Sequence, residues 1–179
     1  MALQTWQLDK GHSDIHFTVR HMVIAKVRGR FARWDGTLRL DEADLSKSSV
    51  EVTIETASID TNEAQRDGHL KSPDFLDVEK YPTITFKSTA VRSTGGSDLS
   101  VTGDLTIRGI SKSVTLEVSN LGKLRDPWGN NKMAFSGKIA IQREDFGAKW
   151  NQVLEAGGVL VGKQVDVDLE VQAIAPKAE

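Results

Sequence analysis

The sequence predicts an all-β protein, an antiparallel β-barrel of about eight strands with one or two short helices. Apolar and polar residues alternate with a period of two through most of the chain, and turn-forming residues separate the alternating runs. Only two irregular stretches, 60–81 and 145–162, leave room for helices. Because two short helices cannot cover the apolar faces of eight strands, the sheet has to close on itself or stack on its other half.

The strands are predicted from runs in which every second residue is apolar. In residues 50–55, for example, valine and isoleucine alternate with glutamate and threonine. This pattern is typical of antiparallel strands with one dry face and one wet face. It recurs in eight segments, which lie at residues 15–19, 38–40, 50–55, 84–86, 101–108, 114–119, 133–142 and 165–172.

Turn-forming residues lie between these runs. Residues 95–98 read Gly-Gly-Ser-Asp and residues 108–111 read Arg-Gly-Ile-Ser, and both stretches are short enough to connect a β-hairpin. A third stretch, 126–131, is rich in proline, glycine and asparagine, which favour turns. No repeat of 20–50 residues is visible, which disfavours a propeller or a solenoid.

The first irregular stretch predicts a short helix over residues 62–71. Asp60 and Glu63 resemble a capping pair at its start, and Pro73 bounds its end. Gly68 weakens the helix by about 1 kcal/mol relative to alanine. We expect one barrel domain over residues 1–173, followed by a C-terminal tail over 174–179.

Composition excludes several classes of function. The chain has 179 residues and no cysteine, which excludes thiol nucleophiles, disulfides and thiolate metal sites. The formal charge of −2 gives no strong electrostatic signature of a nucleic acid or an anionic membrane as a partner. No apolar run approaches the roughly 20 residues that span a bilayer. The first residues lack the pattern of a signal peptide, which predicts a cytoplasmic protein, or a periplasmic one if a leader has been removed.

Few residues are arranged for catalysis or metal binding. His12 and His16 lie about 13 Å apart on a strand, too far to share a metal ion, so we expect no metal site. The sequence contains no nucleophile elbow, phosphate-binding loop or dinucleotide fingerprint. Arg66, Asp67 and His69 lie together on the predicted helix. They could bind a phosphate or quinone head group, or they could form a buried polar network that holds the helix on the barrel.

The interior of the barrel is the remaining candidate site. Gly103 and Gly137 lie among large residues on apolar faces, which favours a cavity over a filled interior. The alternative is that these glycines mark bulges or tight packing.

The chain resembles the YceI-like family of polyisoprenoid-binding, lipocalin-like proteins over nearly its whole length. The matching stretches are HSDIHFTVRH at 12–21, GRFARWDGTL at 29–38, SIDTNEAQRDGHLKSPDFLDVEKYPTITFKS at 58–88, VTGDLTIRGISKSVTLEV at 101–118 and FSGKIAIQREDFG at 135–147. The resemblance implies a barrel around an elongated apolar channel that the short helix caps. It also implies binding of an isoprenoid quinone or polyprenyl phosphate, often by a homodimer.

The predicted function is to bind an isoprenoid lipid for transport, storage or sequestration, with no catalytic residue and no cofactor besides that lipid. Strand parity and motif position predict the site residues. The predicted channel wall consists of Phe17, Val19, Phe31, Phe75, Phe86, Leu105, Phe135 and Ile139, and the predicted mouth of His21, Arg66, His69 and Arg143. One alternative is an enzyme that uses His69 or His21 as a general base. The other is a filled barrel that serves only as an interaction module.

Overall fold

The computed structural model describes residues 3–155 and 157–177. Within these residues the strands are β1 (Gln4–Leu8), β2 (Asp14–His21), β3 (Ala25–Phe31), β4 (Trp34–Leu40), β5 (Ser49–Glu55), β6 (Ile59–Asp60), β7 (Thr83–Gly95), β8 (Asp98–Ile107), β9 (Ile110–Arg125), β10 (Asn131–Gln142) and β11 (Val161–Ile174). Helix α1 spans Ala64–Lys71. Single 3₁₀ turns lie at Lys10–His12, Leu45–Lys47, Thr56–Ser58 and Arg143–Phe146.

Eight strands close into an antiparallel barrel. They are hydrogen-bonded in the order β1-β4-β5-β7-β8-β9-β10-β11, and β11 pairs with β1 to complete the ring. Closure leaves no sheet edge within this ring. The predicted all-β, antiparallel barrel of about eight strands is therefore confirmed.

Strand β11 pairs with β10 along one edge and is long enough to pair with two strands along the other. Its last residues pair with β1, while its first ten residues pair with β2, which in turn forms a hairpin with β3. The short strand β6 then pairs with β3, and helix α1 contacts β6. The wall of the barrel is thus extended on one side by β2, β3 and β6.

The two ends of the barrel differ in what covers them. The end that carries helix α1, here called the α1 end, also carries the β2–β3 turn, the β8–β9 turn and the loop between β10 and β11. The opposite end carries the start of β1, the end of β11 and a buried apolar cluster, which consists of Trp6, Leu8, Leu38, Leu40, Met133 and Ala173. This cluster fills the barrel at the end away from α1.

Helix α1 begins two residues later than the sequence predicts. Its N-cap is Glu63, whose carboxylate accepts hydrogen bonds from the amides of Gln65 and Arg66. Asp60 was predicted to share this role, and that prediction is wrong. Its carboxylate instead accepts from the amide of Asn62, because Asn62 adopts a left-handed conformation with φ of 63° and turns the chain before the helix starts.

The last strand runs through Ile174, the residue at which the sequence predicts the tail to begin. The amide of Ala175 still donates to the carbonyl of Asn131 over 2.8 Å. Residues 178 and 179 of the predicted tail lie outside the described residues. In the part of the chain that the structure describes, no helix is long and apolar enough to cross a membrane.

Candidate functional site

The barrel encloses a cavity of about 450 Å³. All eleven strands contribute to its lining, which is mainly apolar and reaches from the buried cluster at one end to helix α1 at the other. Inward-facing side chains such as Phe86, Leu105 and Phe135 are only half-buried, because they face this space rather than each other. Pockets of about 300–1,000 Å³ are typical of small-molecule sites.

The eight residues predicted as channel wall all line the cavity, and so do the four predicted as mouth. The wall residues lie on β2, β3, β7, β8 and β10, except for Phe75, which lies in the loop after α1. The mouth residues Arg66, His69 and Arg143 lie at the α1 end, and His21 is the last residue of β2 at that same end. Their contact with a ligand stays a prediction.

Aromatic rings cover two of the glycines in the wall. A Cβ atom at Gly29 would lie 2.3 Å from the Phe17 ring, and one at Gly103 would lie 2.5 Å from the Phe86 ring. Gly103 therefore allows the Phe86 ring to pack closely against the strand. Tight packing at this glycine is the alternative to a cavity that the sequence left open.

Gly137 has a different environment. A Cβ atom there would lie 3.5 Å from Leu169 and 3.5 Å from Val118, which is ordinary van der Waals contact. Gly137 itself lines the cavity. A larger side chain at this position would therefore extend into the cavity without displacing its neighbours.

Arg143 lies at the α1 end with 6% of its surface exposed. Its guanidinium donates to four backbone carbonyls, which belong to Ala148, Trp150, Val161 and Gly162. No carboxylate forms an ion pair with it among the described residues. Burial lowers the pKa of the guanidinium, and the charge of Glu144 acts in the opposite direction. Arginine stays charged in proteins, so Arg143 is a buried cation beside the cavity.

Three rings lie beside this cation. The imidazole of His69 meets the rings of Phe75 and Trp150 edge-on, with centroids 5.0 Å and 4.6 Å away. Arg143 lies over the Phe75 ring, and Nε2 of His69 lies 2.9 Å from a carboxylate oxygen of Asp74. We call His69, Phe75, Arg143 and Trp150 the α1-end cluster. It combines a charged donor with aromatic faces at one end of an apolar channel.

Arg66 belongs to a separate polar network. Its guanidinium donates to the hydroxyl and carbonyl oxygens of Thr61, and the carboxylate of Asp67 accepts from the amide and hydroxyl of Thr61. These bonds hold the start of α1 against the end of β6. Arg66 and Asp67 therefore form a polar network that holds the helix on the barrel, which is one of the two alternatives that the sequence left open. His69 is not part of this network and lies in the aromatic cluster.

Comparison with known proteins places the fold in a family. The model of the YceI-like domain matches residues 6–173. The chain belongs to the YceI-like family. Protein YceI of Escherichia coli is 38% identical to this family member over 174 residues, which cover 96% of this chain and 87% of that protein.

Two solved structures share the barrel. Burkholderia cenocepacia BcnA matches with a TM-score of 0.82 at 24% identity, over 93% of this chain and 99% of that chain. A polyisoprenoid-binding domain from Saccharophagus degradans matches with a TM-score of 0.66 at 17% identity, over 98% of this chain and 100% of that chain. Because their identities to this chain are low, these two structures show only that the fold is shared.

Sequence reasoning missed Trp150 as a site residue. Trp150 lies in the irregular stretch before β11, where alternation gives no information on which way a side chain points. Its position follows from Arg143, which binds the carbonyl of Trp150 and so fixes this loop over the end of the barrel. The one signal in the sequence was the presence of a tryptophan in this irregular stretch.

Proposed function

We propose that this protein binds an isoprenoid lipid in the cavity of its barrel, for transport, storage or sequestration. The observation that carries the proposal is an apolar channel whose one end holds a buried cation among aromatic rings. The YceI-like fold and a structural neighbour that is a polyisoprenoid-binding domain support a lipid as the ligand.

The apolar wall accounts for the affinity. Each buried CH₂ group of a prenyl tail contributes about 0.8 kcal/mol. Micromolar binding requires about −8 kcal/mol, so part of a long tail suffices even after the entropy of ordering it. A filled barrel, the third hypothesis from the sequence, would leave no such space, and the cavity of about 450 Å³ counts against it.

The α1-end cluster supplies the groups that would bind a polar head group. Four carbonyl oxygens surround Arg143, but no carboxylate neutralises its charge among the described residues. A quinone carbonyl or a phosphate oxygen is an acceptor that this cation would attract. The rings of Phe75 and Trp150 offer faces on which a quinone ring can stack. Quinones and polyprenyl phosphates are thus the two head-group classes that we propose.

A titration with an isoprenoid quinone tests the proposal. Trp34 and Trp150 line the cavity, so a bound quinone should quench tryptophan fluorescence in a saturable manner. A prenyl alcohol of the same tail should compete with the quinone but bind more weakly, because it lacks the quinone oxygens. Failure of both compounds to bind would overturn the proposal. The predicted homodimer is a separate question, and light scattering of the purified protein answers it.

A further inference from the structure

The turn between β2 and β3 exposes three consecutive apolar side chains. Met22, Val23 and Ile24 are 52%, 51% and 86% exposed, and Val153 on the neighbouring loop is 79% exposed. We call these four residues the tip patch. Single exposed apolar residues are common on soluble proteins, but a contiguous group at the end of a barrel marks an interaction surface.

The backbone of this turn is held in an unfavourable conformation. Met22 and Val23 have φ of 53° and 69°, in the left-handed region that a β-branched residue rarely adopts. The amide of Met22 donates to the carbonyl of Leu160 over 2.8 Å, and Val23 packs against Gly158, which has no Cβ to obstruct it. Neighbouring structure therefore fixes the turn, and strained residues of this kind cluster at functional sites.

Basic side chains lie beside the tip patch on both strands of the β2–β3 hairpin, while the neighbouring loop carries an exposed acidic residue, Glu155, two positions from Val153. Arg20 and Lys26 are directly opposite each other across the hairpin, and both are exposed. Like charges in this arrangement destabilise a sheet. Neither has an acidic ion-pair partner in residues 3–155 and 157–177. Arg28 is also exposed, and residues 20–28 contain no acidic residue. We call Arg20, Lys26 and Arg28 the basic collar.

The tip patch adjoins the lipid channel. His21 directly precedes Met22 and lines the cavity, and so does Leu160, whose carbonyl binds the Met22 amide. Val161, which pairs with His21 across the strands, also lines the cavity. The exposed apolar residues are therefore next to the α1 end of the channel and far from the buried apolar cluster.

We infer that the tip patch inserts into the surface of an anionic lipid bilayer, with the basic collar against the head groups. An exposed apolar patch flanked by lysine and arginine is typical of a site that binds a membrane surface. The α1 end of the channel then faces the membrane. A second copy of this chain fits less well, because a symmetric contact through the same patch would bring two basic collars together.

Fluorescent labelling at the tip tests this inference without any isoprenoid. The chain has no cysteine, so Ile24→Cys can be labelled at one position with an environment-sensitive fluorophore. The matched control is Trp128→Cys, since Trp128 is 82% exposed and lies in the β9–β10 turn at the opposite end. Vesicles of equal parts phosphatidylcholine and phosphatidylglycerol should shift the emission of the Ile24 label to the blue and leave the Trp128 label unchanged.

Vesicle sedimentation of unlabelled variants measures how much the apolar residues and the basic residues each contribute to membrane binding. Ile24→Ser should weaken binding about tenfold. Arg20→Gln and Lys26→Gln should each weaken it about fivefold, and added salt should have the same effect. Vesicles of phosphatidylcholine alone should bind more weakly than the mixed vesicles. Thermal melts check that each variant folds, and quinone binding should stay unchanged in Ile24→Ser and Lys26→Gln, whose positions do not line the cavity.

Three results would overturn the inference. One is no binding to mixed vesicles by the wild-type protein. Another is equal responses of the Ile24 and Trp128 labels. The third is a wild-type dimer that Ile24→Ser converts to a monomer without any vesicle binding, which would assign the tip patch to a contact between copies. None of these results depends on quinone binding, so failure here and failure of the proposed function are distinguishable.

Discussion

The guanidinium of Arg143 lies 5.6 Å from the centroid of the Phe75 ring. This contact joins the start of the 3₁₀ turn after β10 to the loop that follows helix α1. Arg108 reaches the same loop from the β8–β9 turn, where it donates to the carbonyls of Pro73 and Phe75. Two arginines thus hold the α1 end of the barrel together, and one of them is buried beside the cavity.

Removal of Arg143 should destabilise the protein strongly. Arg143→Met removes the guanidinium donor from four backbone carbonyls, of which that of Val161 keeps a hydrogen bond from Asn151, so the free energy of unfolding should fall by about 3 kcal/mol. Urea unfolding measures this change. Lys163→Met is the control, because Lys163 is exposed and pairs only loosely with Glu144, and its effect should stay within about 0.5 kcal/mol. Equal effects of the two variants would contradict the account.

A larger residue at Gly137 should lower the affinity for the ligand while leaving the stability of the fold nearly unchanged. Gly137→Leu places its Cβ at ordinary contact distance and its remaining atoms in the cavity, so the free energy of unfolding should change by less than about 1 kcal/mol. Quinone affinity should fall at least about tenfold, because the ligand loses apolar contact area. Thermal melts and fluorescence titration measure the two quantities.

Gly103→Leu is the matched comparison for this prediction. A Cβ at Gly103 would lie 2.5 Å from both the Phe86 ring and the Lys87 carbonyl, so this variant should lose stability as well as binding. A well-folded Gly137→Leu protein with unchanged quinone affinity would show that ligand does not occupy this part of the cavity.

An alanine at Gly68 should stabilise helix α1. Gly68 lies in the middle of the helix, its φ is not in the left-handed region, and a Cβ there would meet no atom within 4 Å. The free energy of unfolding of Gly68→Ala should therefore rise by about 1 kcal/mol. Chemical denaturation gives the value, and quinone affinity serves as the internal control because it should not change. A loss of stability would mean that Gly68 has a contact which this structure does not contain.

The network at the start of α1 should be essential for stability rather than for binding. Asp67→Ala leaves the amide and hydroxyl of Thr61 without their acceptor, which should cost about 1–3 kcal/mol of folding free energy. The affinity of the folded variant for quinone should fall less than that of Gly137→Leu. The opposite ranking, with intact stability and lost binding, would place Asp67 at the ligand.

The stability of the fold should fall in acid, and the titration of Asp9 should contribute to this loss. The hydrogen bond from Lys132 lowers the pKa of Asp9 below its ordinary value of 3.8, although burial acts in the opposite direction, and His12 lowers it further. Since the folded pKa lies below the unfolded one, this carboxylate stabilises the fold above pH 3.8, and the contribution is lost as pH falls through the folded pKa.

Asp9→Asn tests this linkage. At neutral pH it should be less stable than the wild-type protein, and the difference should shrink in acid. Urea unfolding between neutral pH and a pH below 3.8 measures this difference in stability. Asp168→Asn is the control, because Asp168 is exposed. A difference that is constant with pH would show that Asp9 does not titrate as the ion pair requires.

The barrel was predictable because its signal is local. Alternation within each strand shows which residues face inward, and Arg108 and Gly109 fit a two-residue hairpin turn in which both have positive φ. The eight wall residues could therefore be placed at the cavity from parity and motif position alone.

The environment of Arg143 was not predictable in the same way. Its partners are backbone carbonyls of residues 148–162, and a carbonyl carries no side-chain signature in a sequence. The distinction between Gly103 and Gly137 also depends on where the Phe86 ring lies, which is set by tertiary packing. The cap of α1 was misassigned because the left-handed turn at Asn62 shifts the helix start past Asp60.

The most direct test of lipid binding is mass spectrometry of an organic extract. The protein should be purified without detergent from cells that make isoprenoid quinones, and its extract compared with that of Gly137→Leu prepared in parallel. We expect a prenyl lipid in the wild-type extract and at least about tenfold less of it from the variant. The account would be contradicted by wild-type protein that carries no prenyl lipid and does not take up added isoprenoid quinone.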